Sequence, residues 1–252
     1  MLATAGVGSR RHVEAWIAEG RVSVNGRPAE IGQKIDHNDR VRIDGKPVRL
    51  QRKEEPIRVL LYRKRVGEVV TRDDPEGRRT VFRKLPELDT GRWIAVGRLD
   101  LNTSGLLLLT ISGELARRLT HPSFEIEREY AVRVLGEMTP EVTKALIKGV
   151  ELEDGMARFD SLRPGENEDG EGANQWYTVT LREGRNREVR RLFESQGLQV
   201  SRLIRVAYGP IALGRGIKTA GCREATPVEL KALLKCVKLE AEKPARKPRR
   251  AE

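Results

Sequence analysis

Apolar residues recur along this chain with two spacings, and each spacing predicts a different kind of element. Residues 106–109 are four consecutive leucines bounded by Gly105 and by Ser112-Gly113, the pattern of a buried strand. Val59-Leu60-Leu61-Tyr62 predicts a second strand. Alternation predicts strands over 21–24, 41–43, 128–134 and 176–181, and 200–208 reads as a strand running into a turn at Gly209-Pro210. Helical spacing appears at Val13, Trp16 and Ile17, with Ser9 as cap and Gly20 as stop. It returns at Leu115, Ala116 and Leu119 behind Ser112, ended by His121-Pro122-Ser123. Pro140 through Lys148 should bury Val142, Leu146 and Ile147 on one face, and Asn186 should cap a helix burying Val189, Leu192 and Phe193. Asn25-Gly26 is a strong tight-turn signal, and Asp44-Gly45 ends the 41–43 strand in the same way.

These elements divide the chain into parts. Residues 1–50 predict a helix plus a small sheet. Residues 51–56 are charged, non-periodic and end in proline, a linker pattern. Apolar composition resumes at Ile57, and 57–238 has enough strands and helices for one larger α+β domain. Within it, 166–172 is acidic and glycine-rich, a surface-loop pattern. The basic tail over 239–252 is expected to be disordered and to add nonspecific RNA affinity. No internal repeat is present.

Composition narrows the partner. The chain has 252 residues, and its 48 Lys and Arg against 37 Asp and Glu give a net charge of +11. Such an excess favours a polyanion, because phosphate contacts release counterions, although a merely soluble basic protein shares the feature. Cys222 and Cys236 are too few for a disulfide framework, and neither they nor His12, His37 and His121 have metal-ligand spacing, so no metal is expected. No apolar run is long enough to span a membrane, and residues 1–6 lack a secretory pattern. A reducing cytoplasmic setting fits best, with a monomer as the default state.

The candidate chemistry lies in Gly97-Arg98-Leu99-Asp100-Leu101-Asn102-Thr103-Ser104-Gly105, just before the leucine strand. Asp100 would sit at the rim of a sheet beside Arg98, able to point an ionised carboxylate into a cleft; alternatively it only forms a turn by bonding its own backbone. A second stretch, 182–194, carries Arg187, Arg190 and Arg191 near a predicted helix start, where an anion could bind. The same charges would also suit an exposed helix laced by Glu188–Arg191 and Arg190–Glu194 pairs. Arg10, Arg11, Arg21 and Arg27 form a candidate phosphate-contacting set that reads equally as a solvated face.

The whole string around Asp100 resembles the active-site motif of the pseudouridine synthases that modify ribosomal RNA, in which the motif aspartate is the nucleophile. The 182–194 stretch resembles the family's third motif, whose arginine pairs with that nucleophile and maps best onto Arg190. Glu129-Tyr130 resembles the motif that supplies a tyrosine to stack on the flipped uracil and to act as acid or base. Leu203 maps onto the apolar wall for the base, and Arg98, Asn186 and Arg187 onto substrate contacts. At residues 64–67 the family commonly reads Lys-Pro-x-Gly; here Arg65 stands where proline is usual and Gly67 is kept. Ala5-Gly6-x-x-Ser9-Arg10-Arg11 with Gly20-Arg21-Val22-x-Val24-Asn25-Gly26 resembles the small S4-type RNA-binding domain. Members of that family usually carry several more residues before Leu2, so either the first helix is short or the true start lies upstream.

The resemblance implies an S4-like (αL) domain followed by a catalytic domain with a mixed, mostly antiparallel sheet. The implied activity is isomerisation of uridine to pseudouridine in ribosomal RNA or a subunit precursor, with large-subunit RNA favoured and small-subunit RNA next. The reaction needs no redox change or group donor, so no cofactor is expected. A non-catalytic RNA-binding assembly factor is the alternative; it would need the basic surfaces and no ionised Asp100.

Overall fold

The structure, a computed structural model, describes residues 2, 7–36, 38–48, 56–88, 91–165 and 174–240. The linker residues 51–55, the acidic stretch 166–172, the tail from residue 241 and His37 lie outside the described residues. The chain divides into two compact units, the second beginning at Arg58, with Glu87–Arg92 grouped with the first.

In the first unit, α1 (Arg10–Ala18) starts where the Ser9 hydroxyl accepts the His12 N–H. A four-stranded sheet of order β2-β1-β3-β4 follows, from β1 (Val22–Val24), β2 (Arg27–Pro28), β3 (Val41–Ile43) and β4 (Lys46–Val48). Both hairpins turn on residues at positive φ, Asn25 and Gly26 in one and Asp44 and Gly45 in the other, which suits the right-handed twist of short strands. Leu2, Val13, Val22, Val24 and Val41 form the core, with Trp16 and Ile17 packed against it.

The second unit runs β5 (Val59–Lys64), β6 (Ile94–Val96), β7 (Ser104–Thr110), α2 (Gly113–Thr120), β8 (Arg128–Leu135), α3 (Pro140–Lys148), β9 (Val150–Leu152) and β10 (Gly155–Ala157). It continues with β11 (Ser161–Pro164), β12 (Asn174–Leu181), α4 (Glu188–Glu194), β13 (Gln199–Tyr208), β14 (Ile211–Ala212), β15 (Cys222–Glu224) and α5 (Pro227–Cys236). Its nine-stranded sheet has the order β11-β12-β8-β13-β7-β5-β15, with β14 beside β13 and β6 beside β7. The β13–β7 pair is parallel and the others are antiparallel, so the unit is α+β with a mixed, mostly antiparallel sheet. The four leucines of β7 are each 0% exposed, which accounts for their unbroken apolar run. β8 buries alternate residues, as its sequence predicts.

Three sequence expectations need correction. Asn186 caps nothing: α4 begins after Arg187, which holds a left-handed conformation with no side-chain cap. Ile147 is 39% exposed, because α3 turns Leu146 inward instead. Helix α5 was not anticipated, although Thr226-Pro227-Val228-Glu229 forms a full capping box with proline in the first turn.

The sheet closes at one glycine. Gly105 has φ +105°, and a Cβ there would lie 2.2 Å from the Arg205 carbonyl oxygen on β13. No side chain fits, and left-handed backbone adds strain for any L residue. Gly105→Ala is expected to cost about 3 kcal/mol or more, or to prevent folding, as read by urea unfolding; wild-type stability would show that β13 need not approach β7 so closely.

Candidate active site

Asp100 lies on the loop between β6 and β7, in a turn closed by the Thr103 N–H donating to the Asp100 carbonyl at 3.0 Å. Four successive carbonyls of this turn are held from outside it. Lys64, at the end of β5, donates its ammonium to the carbonyls of Thr103 at 2.7 Å, Asp100 at 2.9 Å and Leu101 at 3.5 Å. The Gly67 N–H reaches Leu101 at 2.9 Å. Arg190, from α4, reaches Asn102 at 3.0 Å and the Val200 carbonyl of β13 at 2.8 Å.

The turn is therefore fixed by its backbone, and the carboxylate is left over. Among the described residues the half-buried Asp100 side chain makes no hydrogen bond or ion pair. It feels the positive charge of Lys64 and of Arg190. The expected Arg190–Asp100 pairing thus acts through the field, while the guanidinium itself is spent on backbone. Burial lowers the Arg190 pKa, and repulsion from Arg187 adds to this; the charge of Asp100 opposes both. Arg98, beside Asp100, is exposed and makes no ion pair among the described residues.

Strand register assembles the rest. Lys64 pairs with Gly105, Gly105 with Arg205, and Arg205 with Tyr130, so one row crosses β5, β7, β13 and β8. Side chains in register share a face, and two strand spacings put Tyr130 about 10 Å from Gly105. Tyr130 is 9% exposed, and Leu203, one buried position along β13, is 5% exposed. Arg205 is buried, donates from Nε to the Leu106 carbonyl at 2.8 Å and lies over the Tyr208 ring.

The other basic candidates divide. Arg191 is committed to Asp154 at 2.8 and 2.9 Å, and Arg187 lies 3.8 Å from Glu194. Neither the Glu188–Arg191 nor the Arg190–Glu194 bridge forms among the described residues. In the first unit, Arg11 and Arg27 are exposed, and Arg10 opens α1. Arg21 is clamped by Asp44 at 2.7 and 2.8 Å and by Glu19 at 3.1 Å, which commits it to the fold. Lys64 lies in the 64–67 motif picked out from the sequence, but its contact with the Asp100 turn was not anticipated; Glu68 and Arg205 were not singled out. The signal for Lys64 was its place at the end of β5, three residues before Gly67.

Residues 58–195 match a family model described as RNA pseudouridylate synthase. The chain belongs to this family. Residues 1–41 match the S4 domain model, so an S4 domain precedes the pseudouridylate synthase domain. "Ribosomal large subunit pseudouridine synthase B" of Pseudomonas aeruginosa is 56% identical over 236 residues, which cover 92% of this chain and 60% of that relative. The chain thus spans only three fifths of that protein's length. The protein of the same name from Escherichia coli strain K12 is 53% identical over 245 residues, 96% of this chain and 83% of the relative. A solved structure titled "Crystal structure of pseudouridylate synthase" superposes with a TM-score of 0.64 at 23% identity, over 92% of this chain and 96% of that one, and shares the fold. No group of acidic, His or Cys residues among the described residues could hold a metal ion, and no described helix is long and apolar enough to cross a membrane.

The Asp100 turn carries a titratable probe of its own. Burial lowers the Lys64 ammonium from 10.5 to about 8, against the pull of Glu68 and Asp100. Between those values the unfolded chain binds more protons than the folded one, so this side chain's contribution to stability rises with pH. Wild type is expected to gain about 2 kcal/mol of unfolding free energy over Lys64→Met between about pH 7 and about pH 9.5. Urea unfolding at both values checks this; a gap that does not move with pH would mean the ammonium is not desolvated.

Proposed function

We propose that this protein isomerises a uridine of ribosomal RNA to pseudouridine, with large-subunit RNA as the favoured substrate, in a bacterial cytoplasm. The observation that carries the reading is the Asp100 turn: four carbonyls are held from outside, leaving an unpaired carboxylate beside two cations. The names of the large-subunit relatives support the choice of RNA.

In this reading the target nucleotide leaves its stack and enters beside Tyr130, whose ring stacks on the uracil. The Asp100 carboxylate acts at the ribose carbon, as nucleophile or by assisting elimination, while the bond to the base nitrogen breaks. The uracil turns in place and its fifth carbon bonds the ribose. Any ester to Asp100 breaks as the new carbon–carbon bond forms, the fifth carbon then loses its proton while the freed base nitrogen gains one, and the Tyr130 hydroxyl is the acid or base within the site. The positive charges of Lys64 and Arg190 lie near Asp100, and Leu203 walls the base. Arg98, Asn186 and Arg187 contact the flanking strand. The S4 domain grips surrounding RNA through Arg10, Arg11 and Arg27, by shape and phosphate contacts. Arg21 belongs to the same set and is held in place by Asp44 and Glu19.

Unmodified ribosomal RNA, incubated with protein and no added cofactor, then labelled with carbodiimide and read by primer extension, tests this. A stop is expected with wild type and none with Asp100→Ala, which should still bind RNA within about threefold. Tyr130→Phe is expected to slow single-turnover conversion about 10²-fold. No stop on either ribosomal RNA, free or within subunit precursors, despite tight binding, would leave the assembly-factor reading instead.

A further inference from the structure

The Asp100 turn rests on a second loop, residues 65–68, and that loop is closed from inside by one buried carboxylate. Glu68 is 4% exposed. Its Oε2 accepts the Tyr62 hydroxyl at 2.9 Å and the Arg65 backbone N–H at 3.3 Å, and its Oε1 faces the Arg65 Nε at 3.2 Å. Tyr62 is itself buried on β5, and burial, with the bond to Glu68, pushes its phenol pKa upward, so it remains a donor. Between Arg65 and Glu68, Gly67 turns at φ +84° and presents the N–H that holds Leu101. The Arg65 carbonyl in turn accepts the Lys64 ammonium at 3.2 Å.

Arg65 stands where proline is usual in the resembling motif. Proline would fix φ and bring no N–H into the fold. Arginine leaves φ free and adds a backbone donor that must find an acceptor in a half-buried loop. Glu68 answers both demands: it accepts that N–H and anchors the side chain of the same residue.

We propose that Glu68 is a positioning residue for Asp100. Its carboxylate binds Tyr62, the Arg65 amide and the Arg65 guanidinium together, and so supplies the restraint that a proline at position 65 would lend this loop. The inference rests on the reading of Asp100 as the reacting carboxylate. Glu68 touches no substrate; it acts through Gly67 and Lys64 on the turn that aims Asp100.

The test uses the full chain, single-turnover conversion of ribosomal RNA, and amide exchange at Gly67 and Thr103. Glu68→Ala is expected to slow conversion about 10²-fold, the scale of a small misplacement of a reacting group, with KM for RNA within about threefold. The double change Glu68→Ala with Arg65→Pro should recover most of that rate, because proline removes the orphan N–H and restrains the loop. Gly67 and Thr103 amides should exchange faster in the single variant and slow again in the double. A rate unchanged in Glu68→Ala, or a loss that proline does not rescue while the fold is kept, overturns the proposal. Where Glu68→Ala does not fold, Tyr62→Phe takes its place: it removes one of the three donors, and its Gly67 amide should exchange faster; protection equal to wild type overturns the proposal. If wild type itself makes no pseudouridine, the functional reading fails; the exchange measurements still decide whether Glu68 holds the loop.

Discussion

A buried ammonium organises this domain. Lys64 is 1% exposed at the end of an apolar strand, where a lone charge would cost several kcal/mol. Charge-assisted hydrogen bonds contribute roughly 1.5–3 kcal/mol each, so a small set of good acceptors offsets that cost. The acceptors here are the carbonyls of Arg65, Asp100, Leu101 and Thr103. The interaction that keeps the core satisfied is thus the one that shapes the turn carrying Asp100. Because the backbone takes up the cation's donors, the Asp100 carboxylate is left without a partner of its own among the described residues.

The second constraint is the close passage of β13 along β7. These two strands are the parallel pair in the sheet, and they join the β5–β7 side of the sheet to the β8–β12 side. On one side lie the Asp100 turn and β5; on the other, Tyr130 on β8 and, through Val200, the Arg190 guanidinium. Gly105 permits that approach. The candidate site is therefore a seam between two halves of a sheet. The buried Arg205 braces the seam from within the sheet.

Local features of this architecture were legible in the sequence. The leucine run of β7 announced a strand buried on both faces, Ser9 and Ser112 announced their helices, and Asn25-Gly26 announced its hairpin. What escaped was tertiary. Asn186 has the right chemistry for a cap, but Arg187 adopts the left-handed conformation that starts the helix. Ile147 fits the helical stripe of α3 but lies where no neighbour covers it. Arg190 was picked out by position, but nothing local shows that the Asn102 and Val200 carbonyls converge on it. Lys64 and Glu68 read as ordinary charged residues until the sheet places them under the Asp100 turn. The box that caps α5 was legible and was missed.

Amide exchange of Thr103 tests the central claim, that Lys64 holds the Asp100 turn. Its N–H closes that turn onto the Asp100 carbonyl. In Lys64→Met the account predicts exchange at Thr103 faster by about tenfold or more, the loss of some 1.4 kcal/mol of local protection, while the core amides of β7 keep theirs. Unchanged protection at Thr103 in a folded Lys64→Met protein would contradict it.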